Sequence, residues 1–290
     1  MIVITGASGN VGREIVPLLL QSGTAFRALG RDAGALKRRF GPGLDAVDFD
    51  FANPASWDAA LAGVRFLLIV LPIPRPQIIN QQIKPFIRSA IAKGCQHIAY
   101  ISVPAAAHNA KIPHHITERF LEGCGIDYTL LRAAYFMQNF SRPDPGHDVD
   151  LRDRDELYLP LGSDVHYLID TRDLAAATVA VMLNPKAHAR KAYDLVGDIK
   201  TMPEAAQVFS DILGRPIHYT DASLWGFSWR AFRRGARLSL IVAMAYVYGL
   251  LSRQTRVEPL DDGDLSALLE CRPLSLRDYV RDYRECWAKK

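Results

Sequence analysis

The chain has 290 residues, 49% of them hydrophobic and 23% charged, with a formal net charge of +4. This length and composition support a well-filled core, in one large domain or in a domain with an appended lobe, and exclude a disordered chain. Basic and acidic residues are interspersed, which argues against a surface dedicated to nucleic acid or membrane.

In chain order, Ile2, Val3 and Ile4 are apolar and β-branched and read as a short buried strand. The stretch TGASGNVGREI (5–15) follows, and from Val11 apolar residues recur at helical spacing, at Ile15, Leu18 and Leu19. Gly6, Gly9 and Gly12 therefore fall on a strand-to-helix turn, the context in which three glycines at this spacing bind a dinucleotide. Gly6 would permit the tight turn, Gly9 would let the backbone approach a pyrophosphate, and Gly12 would let the helix lie close to the sheet. Ser8, Asn10 and Val11 complete the expected cradle, with the amides of Asn10 and Val11 aimed at the phosphates from the helix N-terminus. Pro17 falls inside the same helix, where proline costs ~3 kcal/mol unless a kink absorbs it. No function attaches to it.

The second strand, TAFRALG (24–30), ends on Arg31 and Asp32, and a charged helix over 32–40 carries Lys37, Arg38 and Arg39. An acidic residue at that strand end would accept from the ribose 2′-hydroxyl of NAD, whereas a guanidinium pairs bidentately with a 2′-phosphate. Arg31 favours NADP(H) over NAD(H), and Asp32 keeps NAD(H) open.

Strand-like and helix-like segments continue to alternate. LDAVDFD (44–50) alternates as a strand does, 54–63 is helical, and VRFLLIVL (64–71) is the continuous apolar run of a central parallel strand. A long helix over 76–93, a strand at 97–102, a helix over about 113–124 and a strand at 127–133 follow. The expected fold is α/β, a Rossmann-type doubly wound parallel sheet.

The pattern changes after Phe140, with a polar, Pro- and Asp-rich loop at 141–156. Short strands in LYLP, VHYLID and AYDLVG then interleave with helices at 172–183 and 203–213, and helices are expected at 223–235, 238–251, 263–270 and 275–288. The expected organisation is an NAD(P)-binding domain over 1–140 and a smaller, mostly helical substrate lobe over 141–290, interleaved through strands near 165–197. The cleft between them is the natural ligand site.

As a helix, LSLIVAMAYVYGLL (238–251) would reach roughly 21 Å, short of a ~30 Å hydrocarbon core. It reads as a buried or subunit-interface helix that could support a homodimer, with attachment to a membrane surface as the alternative. Cys95, Cys124, Cys271 and Cys286 form no Cys-x-x-Cys, and three of the four sit in core-like runs. Reduced thiols, a cytoplasmic setting and no metal site are expected. No signal peptide precedes the first strand.

Taken together, ITGASGNVGREIV, ALGRD, HIAYISV, IPHHITERFLEGCGIDYTLLRAAYFMQNF, YLIDTRDLAAATVAVML, KAYDLVG and LGRPIHYTD resemble the NmrA-like branch of the atypical short-chain dehydrogenases/reductases. LSLRDYVRDYRECW extends the likeness over nearly the whole chain. The resemblance implies a nicotinamide cofactor, with Asp50 and Phe51 by the adenine and Leu71 and Pro72 along the nicotinamide half. It places Ser102 and Val103 beside the cofactor and substrate, and Tyr135, Gln138 and Asn139 in the substrate pocket. Asp170 and Asp173 look like the entry of a helix.

The wider superfamily's Tyr-x-x-x-Lys proton-donor pair is missing. His114 holds the position where reductase relatives often carry a lysine, and closer relatives carry one where this chain has Ile116. His114, at a helix start with His115, is the candidate proton donor.

Two functions remain open. One is an NADPH-dependent oxidoreductase that reduces a small quinone or carbonyl compound by hydride transfer. The other is a non-catalytic NADP(H)-binding redox sensor that acts through a protein partner. The missing donor pair favours the sensor and the aromatic AAYFMQNF favours the enzyme.

Overall fold

The computed structural model describes residues 1–71, 75–141, 147–251 and 259–289. Packing divides the chain into two units. The first gathers Met1–Ala133, Thr171–Leu195 and Gly263–Cys271, and the second Ala134–Asp170, Val196–Asp262 and Arg272–Lys290.

The first unit is built on a sheet of seven parallel strands in the order Lys191–Leu195, Asp127–Ala133, His97–Ser102, Phe66–Ile69, Ile2–Ile4, Phe26–Gly30 and Ala46–Asp48. Helices cover the faces of such a sheet, so its inner strands are apolar on both sides. Phe66, Leu67, Leu68 and Ile69 are accordingly all buried. From Ile2–Ile4 the chain winds to one edge, then returns to build the other side from Phe66–Ile69 outward. The order therefore reverses between these two strands, and connections leaving their carboxyl ends diverge.

The helical run Pro76–Ala92 contains one wider π turn, Ile79–Ile83. It lies just ahead of Pro85, which has no N–H to bond back along the helix. Pro17 sits within the helix Gly12–Gln21, and nothing in the structure gives it a role.

In the second unit, Val165–Ile169 pairs antiparallel with Asp198–Thr201 and parallel with Tyr135–Phe136. His218–Asp221 pairs parallel with Glu156–Leu159. The core gathers Phe140, Phe209, Tyr279 and Trp287, all fully buried. The Trp287 indole N–H donates to the Phe140 carbonyl at 3.1 Å, and the Tyr279 hydroxyl donates to Ser141 at 2.8 Å.

Two expectations need correction. The loop expected at 141–156 contains a helix, His147–Arg154. Asp148 and Asp150 lie in its first turn and Arg152 and Arg154 in its last, which complements the helix dipole. Asp150 is buried because Arg230 and Arg234 reach it at 3.0 and 2.6 Å. Of the cysteines, Cys95 alone is buried, Cys124 is half-buried, and Cys271 and Cys286 are exposed, so the core-like runs around them do not bury the thiols themselves. Among the described residues no helix is long and apolar enough to cross a membrane, and no group of side chains could hold a metal ion.

His97, buried beneath a stacked Phe66 ring, bonds Thr129 Oγ1 through Nε2 at 2.8 Å. Thr129 donates its own proton to the His188 carbonyl, so Nε2 of His97 is the donor and its Nδ1 is unprotonated. Burial lowers this imidazole from 6.5 to about 4. A histidine held neutral in the fold contributes stability above its unfolded value, and that stability is lost as pH falls toward the folded value. Urea midpoints should therefore fall as pH drops from about 6.5 to about 4. His97→Gln, which keeps a donor for Thr129, should make that decline shallower.

Candidate cofactor and active site

The site begins where the first and fourth strands end. Thr5 closes the join: its amide donates to the Leu68 carbonyl at 3.0 Å, its hydroxyl donates to the Val70 carbonyl at 3.2 Å, and it accepts from the Val70 amide at 2.8 Å. Immediately beyond, Gly6 turns the chain with φ +66°, in the left-handed region that favours glycine. A Cβ there would also come within 3.1 Å of the Val70 side chain.

The other two glycines serve different needs. A Cβ on Gly12 would lie 2.2 Å from the Gly6 carbonyl oxygen and 2.6 Å from the Ala7 Cα, so the helix start nests directly against the turn. At Gly9 the one close neighbour among the described residues would be the Gly6 oxygen, at 3.2 Å. The Gly9 amide closes the turn onto the Gly6 carbonyl at 2.9 Å. Among the described residues nothing accepts from the amides of Asn10, Val11 and Gly12, although Val11 and Gly12 are buried. Buried N–H groups without acceptors are rare. Two such residues, with the half-buried Asn10 before them, at the start of a helix suit the oxygens of a pyrophosphate. The residues present thus fit a dinucleotide. Ser8 is exposed on the same turn.

At the end of the second strand the acidic groups are already engaged. Asp32 caps the helix Ala33–Phe40, accepting from the Ala35 amide at 2.7 Å, and it pairs with Arg38 at 3.4 Å. Asp48 accepts from the Ala33 amide at 2.7 Å. Arg31 is exposed and has no partner among the described residues.

Asp50 is exposed, and its side chain accepts from the Ala52 amide at 2.9 Å. Phe51 packs edge-on against Phe49 and Phe86, with ring centroids 4.8 and 5.2 Å away. Leu71 is half-buried against the same cluster, and Pro72 lies outside the described residues.

Ser102 ends the fifth strand in a buried polar knot that sequence reasoning missed. Its hydroxyl donates at 2.5 Å to Glu118, whose fully buried carboxylate receives two bonds from Arg132, at 3.2 and 2.9 Å. The signal for Glu118 was positional: it shares a face of the helix Pro113–Glu122 with His114 and the buried Leu121. Val103 follows, half-buried beside Ala105, Ala106 and Ile112.

His114 lies on this helix against Tyr100, its Nδ1 2.6 Å from the phenol oxygen. Burial raises the Tyr100 hydroxyl, which stays protonated; as the more acidic of the two groups it is the natural donor to Nδ1, which assigns the imidazole proton to Nε2. His114 is lowered from 6.5 to about 4, with burial as the cause. It is therefore neutral near pH 7, a hydrogen-bond donor through Nε2 rather than an imidazolium acid. His115 bonds the Ala106 carbonyl through Nδ1 at 2.7 Å and thereby holds the helix start.

The aromatic stretch belongs to the second unit. Tyr135 bonds Tyr248 at 2.9 Å, and Tyr248 bonds His147 at 2.8 Å. Gln138 is fully buried, its amide donating to Asp170 at 2.7 Å. Asn139 is half-buried.

A family model described as the NmrA-like family matches residues 1–279. The chain belongs to the NmrA-like family. Among curated relatives it is 29% identical to NAD(P)H azoreductase of Xenophilus azovorans, over 86% of this chain and 87% of that protein. It is 28% identical to quinone oxidoreductase 2 of Escherichia coli, over 77% and 78% respectively. The crystal structure of the E. coli NADPH-dependent quinone oxidoreductase with NADPH superposes with a TM-score of 0.83 at 25% identity, covering 98% of this chain and 100% of that one.

The glycines give the turn a test of its own. Gly12→Ala should cost about 3 kcal/mol, because its methyl meets backbone rather than a movable side chain. Gly9→Val should still melt cooperatively but lose the thermal shift given by a dinucleotide. Urea midpoints and melts with and without cofactor distinguish the two roles.

Proposed function

We propose that this chain is an NADPH-dependent oxidoreductase that reduces a small quinone. Membership of the NmrA-like family and likeness to a quinone oxidoreductase and an azoreductase support the reductase reading. The observation that carries the cofactor choice is the engagement of Asp32 and Asp48 on the helix start beside an unpartnered Arg31. Asp32 and Asp48 each have one oxygen committed to the helix start, whereas the Arg31 guanidinium is available to a 2′-phosphate. The amides of Asn10, Val11 and Gly12 would hold the pyrophosphate, with Asp50 and Phe51 at the adenine end and Leu71, Ser102 and Val103 toward the nicotinamide.

When bound, the nicotinamide supplies a hydride. The chain's own contribution to the proton is small. His114 is neutral, and replacing its Nε2 proton from Tyr100 would leave a buried phenolate, which burial strongly disfavours. A quinone suits these groups, because the hydroquinone anion left by hydride transfer is stable enough to take its proton from water. A ketone or aldehyde yields a far more basic alkoxide and calls for a general acid. Tyr135 and Asn139 are the side chains proposed to face the substrate. Gln138, engaged with Asp170, would act by holding their segment in place.

Arg31→Ala should weaken NADPH binding by ~1.5–3 kcal/mol and leave NADH nearly unchanged, because one charge-assisted pairing is lost. Calorimetric titration with both cofactors measures this, and equal losses remove Arg31 from the role. NADPH oxidation should be measurable with simple quinones and much slower with aldehydes and ketones. His114→Ala should alter the quinone rate by less than the ~10²-fold expected on losing a general acid. Faster turnover of aldehydes overturns the quinone assignment. Tight NADPH binding without turnover of any substrate class favours the redox-sensor reading.

A further inference from the structure

The even spread of charge read from the whole sequence breaks down in one place. Between Asp221 and Glu258 the chain has no acidic residue and six arginines, at 230, 233, 234, 237, 253 and 256. This stretch contains two helices, Leu224–Arg233 and Leu238–Leu251, joined by a turn in which Gly235 adopts φ +80°. Leu224 near Gly249, and Phe227 against Tyr248 at 5.1 Å, show that the two run antiparallel as a hairpin.

The inner side of the hairpin is anchored. Phe227, Ala231, Ile241 and Tyr248 are buried. Arg230 and Arg234 are drawn inward to Asp150, and Arg230 also to Glu156 at 2.6 Å. The outer side is aromatic and bare. Trp225, Trp229 and Phe232 recur at helical spacing along one face and are 78%, 52% and 57% exposed, with the last two rings stacked. On the second helix Leu238 and Val242 are 69% and 53% exposed. Single exposed hydrophobics are ordinary, but a contiguous stripe of this kind marks an interaction surface. Arg233 and Arg237, at the same end of the hairpin, are exposed and without ion-pair partners among the described residues.

We propose that this hairpin docks on an anionic lipid surface. Tryptophan and phenylalanine along one face, with free arginines at its end, are the composition of an interfacial helix: the rings would enter the headgroup region and the guanidinium groups meet lipid phosphates. The lack of any carboxylate over these two helices removes the repulsion that an anionic surface would otherwise exert. A second copy of the chain fits less well. A two-fold interface sets each patch against itself, so Arg233 and Arg237 would face arginines with no acidic residue of the hairpin to pair with them. Neither helix needs to cross the bilayer, in keeping with their lengths of 10 and 14 residues. Lipid attachment at this face holds whatever compound the chain reduces.

The test uses the full chain and two kinds of vesicle, one of phosphatidylcholine alone and one of phosphatidylcholine with an equal part of phosphatidylglycerol. Sedimentation with the anionic vesicles is expected, weakening as salt is raised, together with a blue shift of tryptophan emission. Arg233→Glu/Arg237→Glu should reduce binding by at least about fivefold per arginine. Trp225→Ser/Trp229→Ser should abolish the blue shift and most of the binding. Circular dichroism and the melt confirm that both variants are folded, since these side chains project from the surface. Equal sedimentation of parent and arginine variant overturns the proposal, as does no binding to either vesicle. Concentration-dependent dimerisation abolished by Trp225→Ser/Trp229→Ser would assign the face to a second copy instead.

Discussion

The join between two short strands, Ile2–Ile4 and Phe66–Ile69, sets the position of every group at the candidate cofactor site. Their pairing places Val3 beside Leu67 and Ile4 beside Leu68, and Thr5 extends the pairing to Val70 with both donor and acceptor of its hydroxyl. With the two strand ends tied together, the first chain can turn away only sharply, which Gly6 permits. The helix after the turn then lies so close that a side chain on Gly12 would overlap backbone. Its first amides are left without acceptors among the described residues, at the strand ends where the strand order reverses. One hydroxyl and one left-handed residue thus direct a helix N-terminus, and with it a patch of positive potential, to the place where parallel sheets of this type hold ligands.

Much of this architecture was legible in the sequence because it depends on local rules. Apolar runs marked the inner strands, glycine spacing marked the turn, and the helix over 238–251 has the predicted limits. What escaped notice depends on partners distant in sequence. His147–Arg154 has little apolar periodicity, and Asp150 reads as a loop aspartate until Arg230 and Arg234 are brought to it. Glu118 reads as a surface acid on a helix until Arg132 and Ser102 close around it. His114 was legible as a residue at a helix start. Its neutral state was not, because that follows from Tyr100 and from burial among residues contributed by another strand.

The ends of the second and third strands show how a helix cap can bear on specificity. An aspartate that caps a helix has part of its acceptor capacity committed to backbone amides. Asp32 and Asp48 both work in this way on the start of Ala33–Phe40. Arg31, one residue earlier, has no such local claim on its side chain. Acidic and basic neighbours in the sequence thus divide between holding the fold and meeting a ligand, a division decided by which of them the helix needs.

The order of the chain through the two units bears on how the protein is made. The edge strand Lys191–Leu195 and the helix Gly263–Leu269 both belong to the first unit, although the second unit's residues precede and separate them. The parallel sheet is therefore incomplete while most of the chain is still being synthesised, and one flank of Asp127–Ala133 stays unpaired until residue 191 and beyond have emerged. Contacts spanning such long separations close slowly and leave strand edges open in the interval. The segment Arg272–Lys290 carries Tyr279 and Trp287 into the core of the second unit. The first unit therefore reaches its final packing only once residues 263–271 are in place, and the second only once residues 272–289 are.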